Sequence, residues 1–199
     1  MIANRDYTWF LKTNNSQPYA FQEQYFTKSE CEAIKTVASR YQAIPAYLGQ
    51  NAGVDTQIRR NLVAFLPRDD ADTHWIFQRV AQAVRDFNQQ FWQYQLSFIE
   101  TLQYTLYQQP GDFYTNHMDM SFDHSQDVRK LSFSVQLSDP DQYQGSDLEF
   151  LRRGNEYYPP VRTQGTIVMF PAFMVHQVTP LISGTRASLV GWVMGPPFQ

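Results

Sequence analysis

Cysteine is almost absent from this sequence. Its 199 residues include a single cysteine, Cys31, which excludes both an intramolecular disulfide and a cysteine-rich zinc site. The sequence also lacks an apolar run long enough to span a bilayer, and the segment after Met1 becomes polar too quickly for a signal peptide. These absences favour a soluble, cytoplasmic protein with no membrane partner.

Blocks of like charge are missing as well. The formal net charge is −3 at pH 7, and the 16 basic and 19 acidic residues are dispersed along the chain. Without the basic face that phosphate neutralisation needs, a nucleic-acid partner is disfavoured. Hydrophobic residues make up 43% of the sequence and aromatic residues 16%, which is enough for a sizeable core. We therefore expect a single domain over residues 1–199.

Helical signals dominate the first half of the chain. Thr27 and Glu30 have the spacing of a capping box, and apolar residues follow them at helical intervals. A second helix is predicted over about residues 73–91, and the segment 57–66 between the helices is predicted to be a strand. We expect residues 1–95 to form a mainly helical support.

The pattern changes to a period of two after Tyr94. Residues 98–107 alternate and are rich in threonine, tyrosine and isoleucine, which indicates a half-buried strand. More short strands, separated by Pro, Gly, Asp or Asn, are predicted at residues 130–137, 146–151, 165–170, 175–179 and 186–194. The predicted fold class is α+β, with a double-stranded β-helix (jelly-roll) core over residues 96–199 and the N-terminal helices packed on one sheet.

Histidine is scarce enough for each one to be considered separately. His117 and Asp119 are two positions apart, so on an extended segment both side chains would point to the same face. An imidazole and a carboxylate would then converge as two metal ligands. By itself, however, the triplet is weak evidence, and a surface strand with two polar residues explains it better.

His176 lies among apolar residues between two predicted strands, where a histidine is often only part of the core. Arg186 favours a different interpretation, because an arginine in a mostly apolar strand is costly unless its charge is paired. No carboxylate nearby in the sequence offers a partner, whereas a small dicarboxylate would suit the guanidinium fork. His117, Asp119 and His176 would leave three positions open on an iron ion, as in non-haem Fe(II) oxygenases.

The two remaining histidines are weaker candidates. A closed zinc site would need a fourth protein ligand, and His124 could supply one in principle. Its segment is a polar loop, so we expect His124 at a rim or in solvent. We expect His74, near the start of a helix, to be structural or exposed.

Ordered together, these features resemble the 2-oxoglutarate/Fe(II)-dependent dioxygenases, and most of all their prolyl 4-hydroxylase-like branch. The resemblance covers roughly residues 98–195, and the helical first half carries no comparable motif. It rests on His176, on Arg186-Ala-Ser188 and on the segments 107–119 (YQQPGDFYTNHMD), 129–140 (RKLSFSVQLSDP), 145–150 (GSDLEF) and 165–171 (GTIVMFP).

The resemblance implies roles for particular residues. His117, Asp119 and His176 would bind iron, and Arg186 would pair with the distal carboxylate of 2-oxoglutarate. Residues that would also line or bind this co-substrate are Tyr107 and, on the strand face of Arg186, Ser188.

The implied activity is oxidative decarboxylation of 2-oxoglutarate to succinate and carbon dioxide, coupled to hydroxylation of a substrate. The branch favours a prolyl residue in a peptide or protein as substrate, with dioxygen consumed and ascorbate expected as a further cofactor. Segments 57–61 and 120–129 are candidates for the substrate rim, although both fit ordinary charged surface.

Two positions depart from the family pattern. Gln136 stands where many prolyl hydroxylases carry a tyrosine, so a co-substrate contact would be lost or supplied by Tyr107 or Tyr104. The usual Gly-Gly-Glu/Asp turn is replaced by Gly145-Ser-Asp, which affects the substrate-side loop. Tyr114 fits either a core aromatic or a site residue.

Two other functions share parts of this pattern. A cupin-type jelly roll that binds another divalent metal, as an isomerase or a sugar-binding module, would be favoured if His124 were a fourth ligand. A nucleic-acid demethylase would share the iron chemistry, but the dispersed charge counts against it.

Overall fold

The computed structural model describes residues 17–46, 55–120, 127–158 and 161–198. Helix α1 spans Lys28–Ala38 and helix α2 spans Ala71–Phe87. The strands are β1 (Ala20–Gln22), β2 (Ile44–Pro45), β3 (Arg59–Arg60), β4 (Leu62–Leu66), β5 (Phe98–Ile99), β6 (Leu102–Tyr107), β7 (Phe113–His117), β8 (Val128–Gln136), β9 (Tyr143–Gly145), β10 (Leu148–Phe150), β11 (Ile167–Pro171), β12 (His176–Val178), β13 (Leu181–Gly184) and β14 (Arg186–Gly195).

Both helices begin at side-chain caps. The predicted capping box of α1 is confirmed: the Thr27 hydroxyl accepts from the Glu30 N–H at 3.2 Å, and the Glu30 carboxylate accepts from the Thr27 N–H at 2.8 Å. Helix α2 begins earlier than predicted, because the Asp70 side chain caps it by accepting from the Asp72 N–H. It ends at Phe87, and the chain continues as one turn of π-helix over Asn88–Trp92.

The larger sheet is antiparallel and carries the helices on one face. Its strands follow the order β1-β11-β8-β14-β6-β4-β2, with β5 also paired to β14. Alternate residues of the central strands, including Phe133 and Leu189, share one buried core with Ile34 of α1 and Ile76 of α2. The opposite residues of the same strands face away from the helices, as the pleat requires.

A smaller antiparallel sheet, in the order β10-β12-β7-β3, faces the larger one. A second apolar cluster lies between them and includes Phe150, Phe170 and Val178. Strands β9 and β13 form a separate two-stranded ribbon. Within the described ranges, no helix is long and apolar enough to cross a membrane.

The predicted single strand over residues 57–66 is wrong, since the chain changes sheets at Asn61. Strand β3 pairs with β7 in the smaller sheet, whereas β4 pairs with β6 in the larger one. The Asn61 side chain accepts a hydrogen bond from Arg59 Nε at 2.8 Å within this crossing. The predicted strand 98–107 is likewise divided, into β5 and β6.

Strands β1, β2, β9 and β13 were not predicted, because each is short and is defined by its pairing rather than by its own alternation. Strand β1, for example, pairs with β11, with Ala20 opposite Met169. The first 95 residues therefore contribute strands to both sheets in addition to the two helices. The division into a helical support and a jelly-roll core within one domain stays a prediction.

Candidate metal and co-substrate site

A cavity of about 620 Å³ lies between the two sheets. His117 and His176, from the smaller sheet, line it together with Asp119. Arg186 and Ser188, from β14 of the larger sheet, line it from the other side. All six residues predicted from the sequence, including Tyr107, therefore lie around one cavity.

A bulge in β7 determines which side chains face this cavity. His117 lies opposite His176 and Tyr114 lies opposite Val178, so three steps along β7 match two steps along β12. Without the extra residue, Tyr114 and His117 would point to opposite faces of the sheet. With it, their rings stack, with centroids 3.5 Å apart and planes inclined by 17°.

Asp119 lies just beyond the end of β7. Its backbone N–H and that of Met120 both donate to the Ala172 carbonyl, at 3.0 and 2.9 Å. These bonds hold the carboxylate beside the two imidazoles: Asp119 Oδ1 is 3.8 Å from His117 Nε2, and Asp119 Oδ2 is 3.6 Å from His176 Nε2. One ligand atom from each of the three residues lies within 4.8 Å of the other two.

The outer nitrogens of both imidazoles are already engaged. His117 Nδ1 lies 2.8 Å from the Thr115 carbonyl, and His176 Nδ1 lies 2.9 Å from the Met174 carbonyl. Since a carbonyl only accepts, each Nδ1 carries a proton, and in the neutral ring Nε2 presents a lone pair towards Asp119. This is the tautomer that a metal-binding histidine adopts when its other nitrogen is held by a backbone carbonyl.

The electrostatics of the cluster suit a cation. Burial and the neighbouring His176 lower the pKa of His117 to about 4, so its ring is neutral near pH 7. Burial alone would raise the pKa of Asp119, but His176 and His117 outweigh it and hold that pKa below the usual value. Two imidazoles and one carboxylate around a common point form the donor set of a non-haem ferrous site.

Polar side chains form a row on the face of the larger sheet away from the helices, and those of Thr105, Tyr107, Arg186 and Ser188 line the cavity. Across three adjacent strands of the larger sheet, Thr105 lies opposite Ser188 and Ser188 lies opposite Gln136. Arg186 lies opposite Tyr107 two positions along the strands from the Ser188–Thr105 pair, with its Cζ 5.5 Å from the tyrosine ring centroid. Hydrogen-bonding groups therefore lie together on the face of the sheet away from the helices.

Arg186 is buried there with an unbalanced charge. It is 1% exposed, and it takes part in none of the ion pairs that the described residues form. Its Nη2 donates to the side-chain oxygen of Gln136, while its Nε has no partner among the described residues. A buried guanidinium with free donors is costly unless an anionic ligand completes it.

The alternative that Tyr104 replaces the missing tyrosine contact is wrong. Tyr104 faces the helices and belongs to the apolar core on that side of the sheet. Tyr107 faces the cavity, as predicted, and is 2% exposed. Tyr114, which the sequence left as either a core aromatic or a site residue, lines the cavity and stacks on His117.

The mouth of the cavity contains residues that sequence reasoning missed. Glu100 and Trp192 line it. The Arg129 guanidinium donates hydrogen bonds to both carboxylate oxygens of Glu100, at 2.7 and 2.8 Å. Its Cζ also lies 4.0 Å from the centroid of the Trp192 ring. Exposed apolar side chains around them are Phe65, Phe98 and Met118. Trp192 could have been predicted as a cavity residue, because alternate residues of a strand share a face and Trp192 is an even number of positions from Arg186 and Ser188.

The two segments predicted as candidates for the substrate rim contribute only some of their residues to the cavity. Arg59 of the segment 57–61 lines the cavity, is 8% exposed and lies 4.5 Å above the Tyr114 ring. Arg60 instead points away and pairs with Asp112. In the segment 120–129, Arg129 lies at the mouth, and residues 121–126, with His124, lie outside the described residues. His74 is exposed on α2.

Comparison with known proteins agrees with this site. Residues 102–194 match the model of the 2OG-Fe(II) oxygenase superfamily, a range that contains the two histidines, Asp119 and Arg186. Over these residues, a little under half of its length, the chain is similar to members of this superfamily.

Curated relatives are PKHD-type hydroxylases. One from Synechococcus sp. (strain CC9605) is 36% identical over 83 residues, which are 42% of this chain and 37% of that protein. One from Synechococcus elongatus is 35% identical over 100 residues, which are 48% of this chain and 43% of that protein. The match thus spans less than half the length of these relatives.

Solved structures show the same fold. A prolyl-4-hydroxylase from Pseudomonas putida superposes with a TM-score of 0.73 at 19% identity and covers 90% of this chain and 94% of its own. A prolyl hydroxylase from Trichoplax adhaerens, in complex with a hypoxia inducible factor peptide fragment, gives 0.73 at 15% identity, with coverage of 91% and 85%. The predicted double-stranded β-helix core is confirmed.

Proposed function

We propose that this protein is a 2-oxoglutarate- and Fe(II)-dependent dioxygenase that hydroxylates a prolyl residue in a peptide or protein. One observation carries the proposal. The cavity is lined by a cluster of three donor residues, His117, Asp119 and His176. It is also lined by Arg186, a buried residue that forms no ion pair among the described residues.

The iron would be held by the Nε2 atoms of the two histidines and by the Asp119 carboxylate. The backbone carbonyls at Nδ1 orient both rings, and the carboxylate offsets part of the metal charge. When bound, iron would supply the activation of dioxygen that oxidises 2-oxoglutarate and a substrate C–H bond. Three protein ligands leave room for co-substrate and dioxygen.

The distal carboxylate of 2-oxoglutarate would bind Arg186, with Ser188 and Thr105 as neighbouring hydroxyl donors. Both hydroxyl residues are almost fully buried, at 2% and 1% exposed, so their bonds to a ligand would form away from water. The apolar side chains of Phe170 and Val178 line the space near the cluster and exclude water from the reacting groups.

A peptide substrate is supported by the mouth of the cavity. Its exposed apolar rim, with Phe65, Phe98 and Met118, offers contact surface to a chain that enters from solvent. The Trichoplax prolyl hydroxylase, whose fold is similar, is in complex with a peptide fragment, and the partial relatives are hydroxylases. The predictions of an ascorbate requirement and a cytoplasmic location stand beside this proposal.

The first experiment is titration calorimetry with Mn(II) and N-oxalylglycine, an unreactive mimic of 2-oxoglutarate. We expect N-oxalylglycine to bind only when metal is present, and His176→Ala to abolish metal binding. His74→Ala, which removes an exposed histidine of α2, is the matched control and should bind like the parent. Metal-independent binding, or unchanged metal binding in His176→Ala, would disprove the site.

The second experiment measures succinate formed from 2-oxoglutarate with Fe(II), with and without proline-containing peptides. We expect peptide-stimulated turnover and a mass increase of one oxygen atom on a prolyl residue. Turnover that the peptides fail to stimulate, but that an oligonucleotide stimulates, would favour the demethylase alternative.

A further inference from the structure

We infer that Gln136 is a positioning residue for the co-substrate: its neutral amide holds the Arg186 guanidinium in place without neutralising it. The inference rests on the proposed function, because it assigns a role towards the distal carboxylate of 2-oxoglutarate. It concerns the position at which this sequence departs from the family pattern.

The orientation of the Gln136 amide is determined by its two partners. Arg186 Nη2 can only donate, so the atom that it contacts must be the amide oxygen. The amide nitrogen then donates to the Tyr143 hydroxyl at 3.2 Å. Both ends of the side chain are therefore engaged, and Gln136 is 3% exposed.

The backbone of Gln136 is also held in place. Its N–H donates to the Thr166 carbonyl at 2.9 Å, and its carbonyl accepts from the Gly165 N–H at 2.7 Å. Together with the pairing to Ser188 in β14, these bonds make Gln136 a rigid support for the arginine. The arginine is therefore oriented before a ligand arrives, which lowers the entropy cost of binding.

The charge of the support matters as much as its position. A carboxylate at position 136 would have nearly the shape of glutamine but would form an ion pair with Arg186 and compete with an anionic ligand. Asp147 feels the charge of Arg186, but its carboxylate is already paired with Arg162 at 2.8 Å. The surroundings thus orient Arg186 and leave its positive charge for the ligand.

The decisive variant is Gln136→Glu, measured with Mn(II) and N-oxalylglycine by calorimetry and with thermal unfolding of the ligand-free protein. We expect the dissociation constant of N-oxalylglycine to rise about 100-fold, as when a buried charge is given a competing partner. The thermal midpoint should stay equal to that of the parent or rise, because the new carboxylate completes the buried guanidinium. A residue with a merely structural role would lose stability and binding together.

Gln103→Glu is the matched control. Gln103 is also a buried glutamine of the larger sheet; it lines the cavity, and its side chain donates to Thr105 rather than contacting Arg186. We expect N-oxalylglycine to bind this variant at least about tenfold more tightly than Gln136→Glu. Equal loss in both variants would overturn the inference, since any buried carboxylate would then have the same effect.

Gln136→Leu tests the orienting role separately. It keeps the bulk but removes the acceptor, so Arg186 can leave its position. We expect the KM for 2-oxoglutarate to rise about tenfold, and we expect any fold-decrease in kcat to be smaller than this increase. Unchanged KM, or a fall confined to kcat, would contradict the role.

The results separate this inference from the proposed function. If the parent fails to bind N-oxalylglycine with metal, both are overturned. If the parent binds it and Gln136→Glu binds within threefold of the parent, only the role of Gln136 is overturned.

Discussion

The rings of Tyr114 and His117 stack face to face although three positions separate them in the chain. The bulge in β7 produces this relationship, because it turns both side chains to the cavity face. Arg59, directly opposite Tyr114 on β3, places its Cζ 4.5 Å from the centroid of the tyrosine ring. A candidate metal ligand is thus fixed by an aromatic ring that is itself fixed by a cation.

Loss of the aromatic ring at Tyr114 should weaken metal binding. We expect Tyr114→Leu to raise the dissociation constant for Mn(II) about tenfold, since residues that orient a metal ligand typically contribute 10- to 100-fold. Tyr114→Phe retains the stack and should bind within about twofold of the parent. Equal affinity in the leucine variant, measured by calorimetry, would show that the stack has no orienting effect.

Arg129 should affect the substrate but not the co-substrate. It links Glu100 and Trp192 at the mouth, so we expect Arg129→Ala to raise the peptide KM about tenfold. The dissociation constant of N-oxalylglycine should remain that of the parent. Arg85→Ala, an exposed arginine of α2, serves as the control. A rise in both the peptide KM and the dissociation constant of N-oxalylglycine would indicate general damage to the cavity.

Cys31 should be unreactive in the folded protein. It is fully buried, and burial raises the pKa of its thiol to about 11. We expect a thiol reagent at pH 8 to label Cys31 only after urea unfolds the chain. Fast labelling of the native protein would contradict its place in the core.

The same thiol gives a pH dependence of stability. Between about pH 9 and 11 the unfolded state has released the thiol proton and the folded state has kept it, so the free energy of unfolding falls as pH rises. Cys31→Ala removes this contribution, although the lost packing lowers stability at every pH. The stability difference between parent and variant should therefore narrow from pH 9 to 11, as measured by urea unfolding.

The capping box of α1 should contribute measurably to stability. We expect Thr27→Ala to lower the free energy of unfolding by about 1 kcal/mol, because the Glu30 N–H loses its acceptor. Thr36→Ala, at an exposed position within the same helix, should have little effect. Equal losses would indicate a general effect of threonine removal and not a cap.

Local patterns predicted those parts of the fold that depend on local chemistry. The cap at Thr27 and the alternation along β14 were visible because each arises from a residue and its near neighbours. The division of residues 57–66 between two sheets was not visible, since only strand partners far along the chain determine it. The one-residue bulge beside His117 was hidden for the same reason.

The sequence by itself determined which chemical groups are available: few histidines, one H-x-D triplet and one arginine in an apolar strand. Tertiary structure alone decided that these groups share a cavity, that Tyr104 faces away from it and that Gln136 contacts Arg186. The physical reason is that successive side chains of a strand alternate between the two faces of the sheet, so the sequence shows which residues share a face. Which sheet covers that face, and which distant side chain lies across from it, depends on how the whole chain packs.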